Sequence, residues 1–126
     1  MKVSPLGDLE QKVMDIVWSE KQCSAREVVT KLQTDKKLAY TTVATILQRL
    51  CEKGLLFKTD DRVIIQYLPK LSKEEYSKKF AKSFLEKFIH SFGDIAIASF
   101  AESIEDLPDR KREYFLQLLK MHVKNK

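Results

Sequence analysis

Five polar side chains, four of them uncharged, lie on or beside one side of a helix predicted over residues 40–54, YTTVATILQRLCEKG. They are Thr41, Thr42, Thr45, Gln48 and Arg49. A helix face that meets only solvent usually carries Lys and Glu, whereas hydroxyl, amide and guanidinium groups contact base edges and phosphates in a DNA groove. The pattern therefore indicates a DNA-contacting surface. An ordinary amphipathic helix with few charges on its outer face fits the same residues, so both interpretations stay open for the helix alone.

The opposite side of this helix is apolar. Val43, Ile46, Leu47 and Leu50 lie at positions i, i+3, i+4 and i+7, which form one face of an α-helix. We expect this face to be buried. Gly54 is expected to end the helix as a left-handed C-cap residue.

Two further helices are predicted before it. The first begins near Asp8, whose spacing from Gln11 is that of a capping pair. The second begins at Ser24, because Ser24 and Glu27 have the S-x-x-E spacing of a capping box.

Two short strands are predicted after it, over residues 55–59 and 62–68, which are rich in β-forming residues. Asp60 and Asp61 lie between them at the length of a two-residue hairpin turn, and Pro69 ends the second strand. Three helices followed by a hairpin is the order of a winged helix-turn-helix domain. In such a domain the third helix enters the major groove and the hairpin, or wing, lies along the DNA backbone.

The chain after residue 70 is predicted to form helices with apolar stripes. The helix that starts at Ser72, again with S-x-x-E spacing, has an aromatic side chain at every fourth position. A short helix capped by Asp94 follows over residues 95–101, and a last helix begins near Pro108. These helices are too short to form a core alone. They could pack on the N-terminal domain or on a second copy of the chain, and we favour the second copy because a symmetric dimer buries such stripes.

These elements predict a mainly α protein with a small β-hairpin. Residues 1–70 would form a winged-helix DNA-binding domain, and residues 71–126 a helical dimerisation domain. The candidate dimerisation residues are Tyr76, Phe80, Phe84, Phe88, Phe115, Leu118 and Leu119. A net charge of +5 over 126 residues suits a nucleic-acid partner without establishing one.

The remaining residues argue against an enzyme, a metal protein or a membrane protein. Cys23 and Cys51 are isolated and form no metal-binding pair, so burial is expected for both. His90 and His122 lie in separate helical regions, and the three glycines form no phosphate-binding loop. No signal peptide opens the chain and no uncharged stretch is long enough to span a bilayer. We therefore expect a cytoplasmic protein without a cofactor.

Four segments resemble the penicillinase repressor family, which includes the β-lactamase and methicillin-resistance repressors and copper-responsive repressors. They are LEQKVMDIVW (residues 9–18), CSAREVVTKL (23–32), YTTVATILQRLCEKG (40–54) and EEY (74–76). The resemblance implies a dimeric winged-helix repressor bound to a palindromic operator, with the third helix as the recognition helix.

Within that helix, the family's recurring Thr, Thr and Arg correspond to Thr42, Thr45 and Arg49. Thr41 and Ala44 stand where many members have Lys, which implies weaker phosphate attraction or a different base preference. In the wing, Asp61 replaces a Gly that members often have at the tip, and Arg62 after it matches the family pattern.

The resemblance also implies how the DNA would be released. In the antibiotic-responsive branch, a membrane sensor protease leads to cleavage of an Asn-Phe bond in the C-terminal domain. Ser99 and Phe100 occupy the corresponding place here, with Ser in place of Asn. In the copper-responsive branch a C-terminal cysteine cluster binds the metal, and the lack of any Cys after Cys51 argues against that branch.

The leading hypothesis is therefore a homodimeric DNA-binding transcriptional repressor. Its expected DNA contacts are Thr42, Thr45, Gln48 and Arg49 towards the bases, Ser24 and Thr41 on the DNA backbone, and Arg62 in the wing. The alternative is a winged-helix module that binds a protein through its aromatic C-terminal stripe. Binding that is insensitive to salt, with no DNA shift at low salt, would favour the alternative.

Overall fold

The computed structural model describes residues 6–32, 39–59 and 63–123. Its elements are α1 (Asp8–Glu20), α2 (Ala25–Leu32), α3 (Tyr40–Glu52), β1 (Leu56–Lys58), β2 (Tyr67–Pro69), α4 (Lys73–Phe92), α5 (Asp94–Glu105) and α6 (Asp109–His122). Three helices followed by an antiparallel hairpin is the predicted winged-helix order, and the mainly α fold class is confirmed. The chain divides into two compact units, Met1–Lys82 and Ser83–Lys126. The expected functional division at residue 70 stays a prediction.

The core of the first unit forms where α1, α2 and α3 pack together over β1. Its most deeply buried side chains are at most 1% exposed: Val13, Met14, Val17, Cys23, Val28, Val43, Leu47, Leu50 and Leu56. Full burial of one Val, Leu or Met stabilises a fold by about 1.5–3 kcal/mol. The predicted apolar face of α3 belongs to this core, since its four residues are at most 6% exposed.

Two of the predicted capping boxes are present. At the start of α2, the Ser24 N–H donates to Glu27 Oε1 at 2.8 Å and the Glu27 N–H donates to Ser24 Oγ at 3.2 Å. Ser72 and Glu75 make the same pair of bonds before α4, at 2.9 and 3.0 Å. Each box satisfies backbone donors that the first helical turn leaves without a partner.

The predicted cap of α1 is wrong. Gly7, one residue before Asp8, is the N-cap residue, and its N–H donates to Glu10 Oε1 at 3.0 Å. Asp8 lies inside the first turn, where its negative charge still favours the positive end of the helix. The cap differs from the prediction because the glutamate three residues after Gly7 reaches back to it, a pairing that needs no capping side chain.

The predicted end of α3 is confirmed. Gly54 has φ +81°, in the left-handed region that glycine adopts readily. Its N–H donates to the Cys51 carbonyl at 3.0 Å, and the Leu55 N–H donates to the Leu50 carbonyl at 3.0 Å. These two bonds form a Schellman motif, which satisfies the last helical carbonyls. Leu50 and Leu55 are both buried in the core, so the motif turns the chain directly into β1.

The paired strands of the wing are shorter than predicted. β1 and β2 pair from Leu56↔Pro69 to Lys58↔Tyr67, so the second strand begins later than residue 62. The loop closes at Thr59, whose N–H donates to the Gln66 carbonyl at 2.9 Å and whose Oγ1 accepts from the Gln66 N–H at 3.0 Å. Thr59 therefore pairs with Gln66, four residues later in the chain than the partner at position 62 that a two-residue turn would give it. Residues 60–62 themselves lie outside the described part of the chain.

A bridge that the sequence did not reveal joins the wing to the segment between α1 and α2. The Cys23 N–H donates to the Tyr67 carbonyl at 3.1 Å, and the Tyr67 N–H donates to the Cys23 carbonyl at 2.8 Å. β2 is thus hydrogen-bonded on both edges. This arrangement fixes the base of the wing beside the start of α2.

The first turns of α4 pack on the core of the first unit. Trp18 Nε1 donates to the Leu71 carbonyl at 2.9 Å. The ring of Trp18 lies 5.6 Å from that of Tyr76, and Phe80 stacks on Tyr76 with ring centroids 6.1 Å apart. Tyr76 is only 7% exposed, so the first unit extends well beyond the hairpin.

The second unit contains the rest of α4 together with α5 and α6. The rings of Phe84, Phe88 and Phe92 follow one another at 5.7 and 5.6 Å. Phe100 of α5 meets Phe115 of α6 edge to face at 6.4 Å.

Two helix starts in this unit differ by a residue from expectation, and α5 is longer than residues 95–101. Gly93, with φ +59°, is the N-cap residue of α5 in place of Asp94, because the Ala96 N–H donates to the Gly93 carbonyl at 3.0 Å. Pro108 is likewise the N-cap residue of α6, one position before the first turn.

Replacing Trp18 by Phe tests the bond that fixes the start of α4. Phe retains an aromatic ring near Tyr76 but removes the donor to the Leu71 carbonyl, so we expect a loss of about 1–2 kcal/mol in the free energy of unfolding. Urea unfolding followed by far-UV circular dichroism measures it. The control is Phe57→Leu, which changes an aromatic side chain that is 47% exposed and should move stability by less than about 0.5 kcal/mol. Equal midpoints for the two variants would show that the indole bond contributes nothing.

Candidate nucleic-acid interface

α3 presents all five of the candidate side chains that the sequence assigned to it. Those exposed side chains are Thr41, Thr42, Thr45, Gln48 and Arg49. Because the opposite face of the helix is held in the core, the helix cannot rotate without exposing apolar groups or burying these polar ones. The structure therefore brings the five predicted residues of α3 onto one accessible surface.

Thr45 is partly engaged within the helix. Its Oγ1 donates to the Thr41 carbonyl one turn earlier, at 2.8 Å. The hydroxyl oxygen can still accept a hydrogen bond, and a threonine methyl group can contact the methyl group of a thymine. Thr45 can therefore accept a hydrogen bond or make an apolar contact, because its hydroxyl hydrogen is already used within the helix.

Gln48 belongs to a small polar network with two neighbours. Its Nε2 donates to Glu52 Oε2 at 3.4 Å, and Lys58 Nζ from β1 donates to Gln48 Oε1 at 3.3 Å. Both bonds are long and exposed, so a base edge could replace either partner. Sequence reasoning missed Glu52 and Lys58. The i+4 spacing could have revealed Glu52, whereas nothing local indicated that Lys58 would reach back from the hairpin.

A concavity with a volume of about 550 Å³ lies between α3 and the start of α1. Residues 7–10 line it on one side, and Thr42, Thr45, Ile46 and Arg49 on the other. Asp8 and Glu10 bring negative charge to this border. These carboxylates oppose the positive charge of Arg49, so this side of α3 is the less favourable one for a phosphate.

Glu10 also ties the two helices together. Its carboxylate accepts from Lys53 Nζ at 3.1 and 3.0 Å. The backbone bond from Gly7, followed by the bond from Lys53, lowers the pKa of Glu10. Since this carboxylate is ionised and paired, Lys53 is held at the far end of α3 by Glu10.

Two candidate DNA contacts, Ser24 and Arg62, lie outside α3, and the structure describes only the first of them. Ser24 is 7% exposed, and its Oγ accepts the Glu27 N–H of the capping box. Its hydroxyl hydrogen is not used by that bond, and contact with the DNA backbone stays a prediction. Arg62 lies outside the described residues.

The surroundings of the two thiols disfavour their charged, reactive form. Cys23 is 1% exposed, and burial raises its pKa to about 11. Burial also raises the pKa of Cys51, which is half-buried. A thiol in its neutral form is a poor nucleophile and a poor metal ligand at neutral pH. The expected burial is therefore confirmed for Cys23 and partial for Cys51.

Neither a metal site nor a membrane span is present in the described ranges. No group of three or more His, Cys, Asp or Glu side chains within residues 6–32, 39–59 and 63–123 is arranged to hold a metal ion. In the same ranges, no helix is both long and apolar enough to cross a bilayer.

The candidate dimerisation residues lie in both units. Tyr76 is buried in the first unit and Phe80 is half-buried against it. In the second unit, Phe84 is 56% exposed and Phe88 and Phe115 are half-buried. Leu118 and Leu119 are exposed on α6.

The candidate cleavage site lies inside α5. The Ser99 carbonyl accepts from Ser103 Oγ at 2.9 Å, and Phe100 is half-exposed beside Phe115. A protease binds its substrate as an extended strand, so this part of α5 would have to unwind before the Ser99–Phe100 bond could be cut.

Comparison with known proteins identifies the family. The family model described as penicillinase repressor matches residues 6–120. The chain belongs to the penicillinase repressor family. It is 27% identical to the methicillin resistance regulatory protein MecI of Staphylococcus aureus (strain N315) over 118 residues, which cover 94% of this chain and 95% of MecI. It is 41% identical to the transcriptional regulator BlaI of Mycobacterium tuberculosis (strain ATCC 25618 / H37Rv) over 75 residues, covering 59% of this chain and 54% of BlaI.

Two solved structures support the same fold. The DNA-binding domain of the repressor BlaI superposes with a TM-score of 0.51 at 28% identity, covering 60% of this chain and 94% of that one. The monomeric form of Bacillus licheniformis BlaI in complex with the blaP half-operator has a TM-score of 0.50 at 27% identity and covers 60% of this chain and 92% of that one.

Family membership confirms the resemblance and the winged-helix fold. It also confirms the prediction of a DNA-binding transcriptional repressor, because the family consists of such repressors and not of enzymes.

Proposed function

We propose that this repressor acts as a homodimer on a palindromic operator, with α3 of each subunit in the major groove. Thr42, Thr45, Gln48 and Arg49 would face the bases, and Ser24, Thr41 and Arg62 would contact the DNA backbone. The observation that carries the proposal is the exposed polar face of α3, which lies opposite a fully buried apolar face. The BlaI half-operator complex supports it, since that related protein meets DNA with the same kind of domain.

The distribution of charge suits DNA binding by the first unit and dimerisation by the second. The first unit, Met1–Lys82, has sixteen Lys and Arg against eleven Asp and Glu, whereas the second, Ser83–Lys126, has seven against seven. The whole net charge of +5 therefore belongs to the unit that contains α3. A positive unit attracts the phosphate backbone, and a neutral one can meet a copy of itself without repulsion.

The second unit supports a dimer because it lacks a core of its own. Among its described residues, 83–123, only Ala96 is buried. Its large apolar side chains that are at least 36% exposed are Phe84, Leu85, Ile89, Phe92, Ile95, Ile97, Phe100, Tyr114, Leu116, Leu118, Leu119, Met121 and Val123. Exposure of so large an apolar surface to water is unfavourable. A second copy of the same helices would cover it with equally apolar side chains.

A symmetric dimer also explains why a palindrome would be recognised. Two copies of α3 would meet two half-sites about 10 base pairs apart, or a multiple of that distance. Each added recognition helix raises the overall affinity because the second binding event occurs within one complex. The half-sites would mirror each other as the subunits do.

Release from the operator would follow cleavage between Ser99 and Phe100. Operator DNA lies in the bacterial cytoplasm, so the repressor would act there and a membrane sensor protease would start the cleavage. The cut would separate Phe100 and α6 from the first half of α5. Since those parts belong to the proposed dimer surface, the two recognition helices would no longer be held together.

Arg49→Ala tests the recognition surface. Arg bound to a guanine edge contributes about 1–3 kcal/mol of discrimination, so the variant should lose operator selectivity by roughly fivefold or more while remaining folded and dimeric. DNase footprinting of the gene's own upstream region, with random DNA as competitor, measures it. Arg110→Ala, on exposed α6 of the second unit, removes one guanidinium elsewhere and should footprint as the unchanged protein does. An unchanged footprint for Arg49→Ala as well would remove Arg49 from the recognition surface.

Phe84→Asp and Phe88→Asp test the dimer surface. A charged group in the apolar stripe of α4 should give monomers at micromolar concentration and weaken operator binding strongly. Sedimentation velocity gives the mass of the species. Lys87→Asp, on the same helix, introduces the same carboxylate at a position that is already charged, and it should stay dimeric. A dimer that survives both Phe substitutions would place the subunit contact elsewhere.

The release step predicts two fragments with a defined boundary. In the native host exposed to a β-lactam, intact-mass analysis of the repressor should show fragments ending at Ser99 and beginning at Phe100. Phe100→Leu, which removes the aromatic side chain after the bond but keeps an apolar one on the proposed dimer surface, should keep the chain whole and the operator bound. Loss of operator binding with the chain intact would overturn cleavage as the release step.

A further inference from the structure

The start of α2 and the start of α3 are joined by a cation–π contact. The guanidinium carbon of Arg26 lies 5.3 Å from the centre of the Tyr40 ring. This distance is within the range in which a guanidinium is attracted to an aromatic face. Both side chains are exposed, and Tyr40 is 48% accessible. Tyr40 directly precedes Thr41 and Thr42, so the contact lies at the edge of the candidate interface.

No described residue of the chain accepts a hydrogen bond from the guanidinium of Arg26 in a side-chain contact. Across the described ranges, its guanidinium has no ion pair and no side-chain hydrogen bond. Arg112 is the contrast, since its guanidinium donates to the Glu105 and Leu107 carbonyls and to Asp109 Oδ1. A guanidinium held over a ring keeps its planar fork of donors, which matches the oxygens of a phosphate.

The surroundings of Arg26 form a groove open to a ligand. This groove has a volume of about 560 Å³. It is lined by the start of α2, by Tyr40 and by residues 63–67 of the wing. Among the described residues of that lining, Glu27 is the one acidic side chain, and its Oε1 accepts from the Ser24 N–H. The walls of this groove are therefore the parts of a winged helix that flank its recognition helix.

α3 itself offers little positive charge for phosphate contacts. Arg49 is the only cation among the residues of the α3 helix, Tyr40–Glu52. Phosphate contacts supply much of the affinity of a protein for DNA and fix its register on the duplex. A second, pre-positioned guanidinium beside the first residue of α3 would provide such a contact.

We propose that Arg26 binds a phosphate of the operator backbone and that Tyr40 is the positioning residue that holds its guanidinium. The inference rests on the proposed operator binding by α3. Tyr40 orders the guanidinium before DNA arrives, so less side-chain freedom is lost when the phosphate is bound. Because a phosphate carries no sequence information, Arg26 contributes equally to operator and random DNA.

The test is the salt dependence of binding to operator and random duplexes, measured by fluorescence anisotropy on the full-length protein. Log affinity falls as log salt rises, and Arg26→Ala should make this fall less steep, by about 0.9 per subunit on both duplexes. Lys31→Ala is the matched control, because it removes one charge from the same helix, where Lys31 pairs with Glu20 at 3.3 Å. Its slope should equal that of the unchanged protein. Unfolding curves establish that each variant is folded at the assay temperature.

Two tyrosine variants test the positioning role. Tyr40→Phe keeps the ring and should bind as the unchanged protein does, whereas Tyr40→Leu should weaken binding to both duplexes several-fold. Equal binding by the Phe and Leu variants would overturn the role of Tyr40. An unchanged slope for Arg26→Ala, or a loss confined to the operator, would overturn the phosphate contact. These failures are distinct from failure of the proposed function, in which the unchanged protein itself shows no preference for the operator.

Discussion

The burial of one face of α3 is the constraint on which the rest of the structure depends. Val43, Leu47 and Leu50 are completely removed from water, and no other rotation of the helix about its axis would bury the same three groups. The core therefore determines which side chains of α3 face outward. In a protein that recognises DNA through a helix, a substitution inside the core would alter binding without touching any group that meets the duplex.

Most of what could be predicted from the sequence depends on residues close together in the chain. The period of apolar residues located α3, the S-x-x-E spacing located the start of α2 at Ser24, and Gly54 located the end of α3. Each signal acts within about one helical turn, and each is confirmed. The exposed set on α3 was predictable for the same reason, because a buried face at helical spacing leaves the opposite residues outside. Their individual contacts with DNA remain predictions.

What the sequence did not reveal depends on residues far apart in the chain. Thr59 and Gln66 close the wing through a side-chain bond that no hairpin rule requires. The pairing of Cys23 with β2 adds a bridge from a segment that has no strand pattern. The contact between Arg26 and Tyr40 exists only because the packing of α2 and α3 brings their first turns close together. A local pattern cannot report contacts of this kind, since they depend on how the elements pack.

In the proposed interface, the three threonines of α3 would affect the entropy of recognition. Thr41, Thr42 and Thr45 are branched at Cβ, and in a helix such side chains have few rotamers available. Long side chains such as Lys lose up to about 2 kcal/mol of rotamer freedom when they are fixed, whereas threonine has much less to lose. A surface built from them is nearly as ordered before binding as after it. In the proposed complex the same stiffness would leave little room to adapt to a changed base pair, so it would favour discrimination between sites over tolerance.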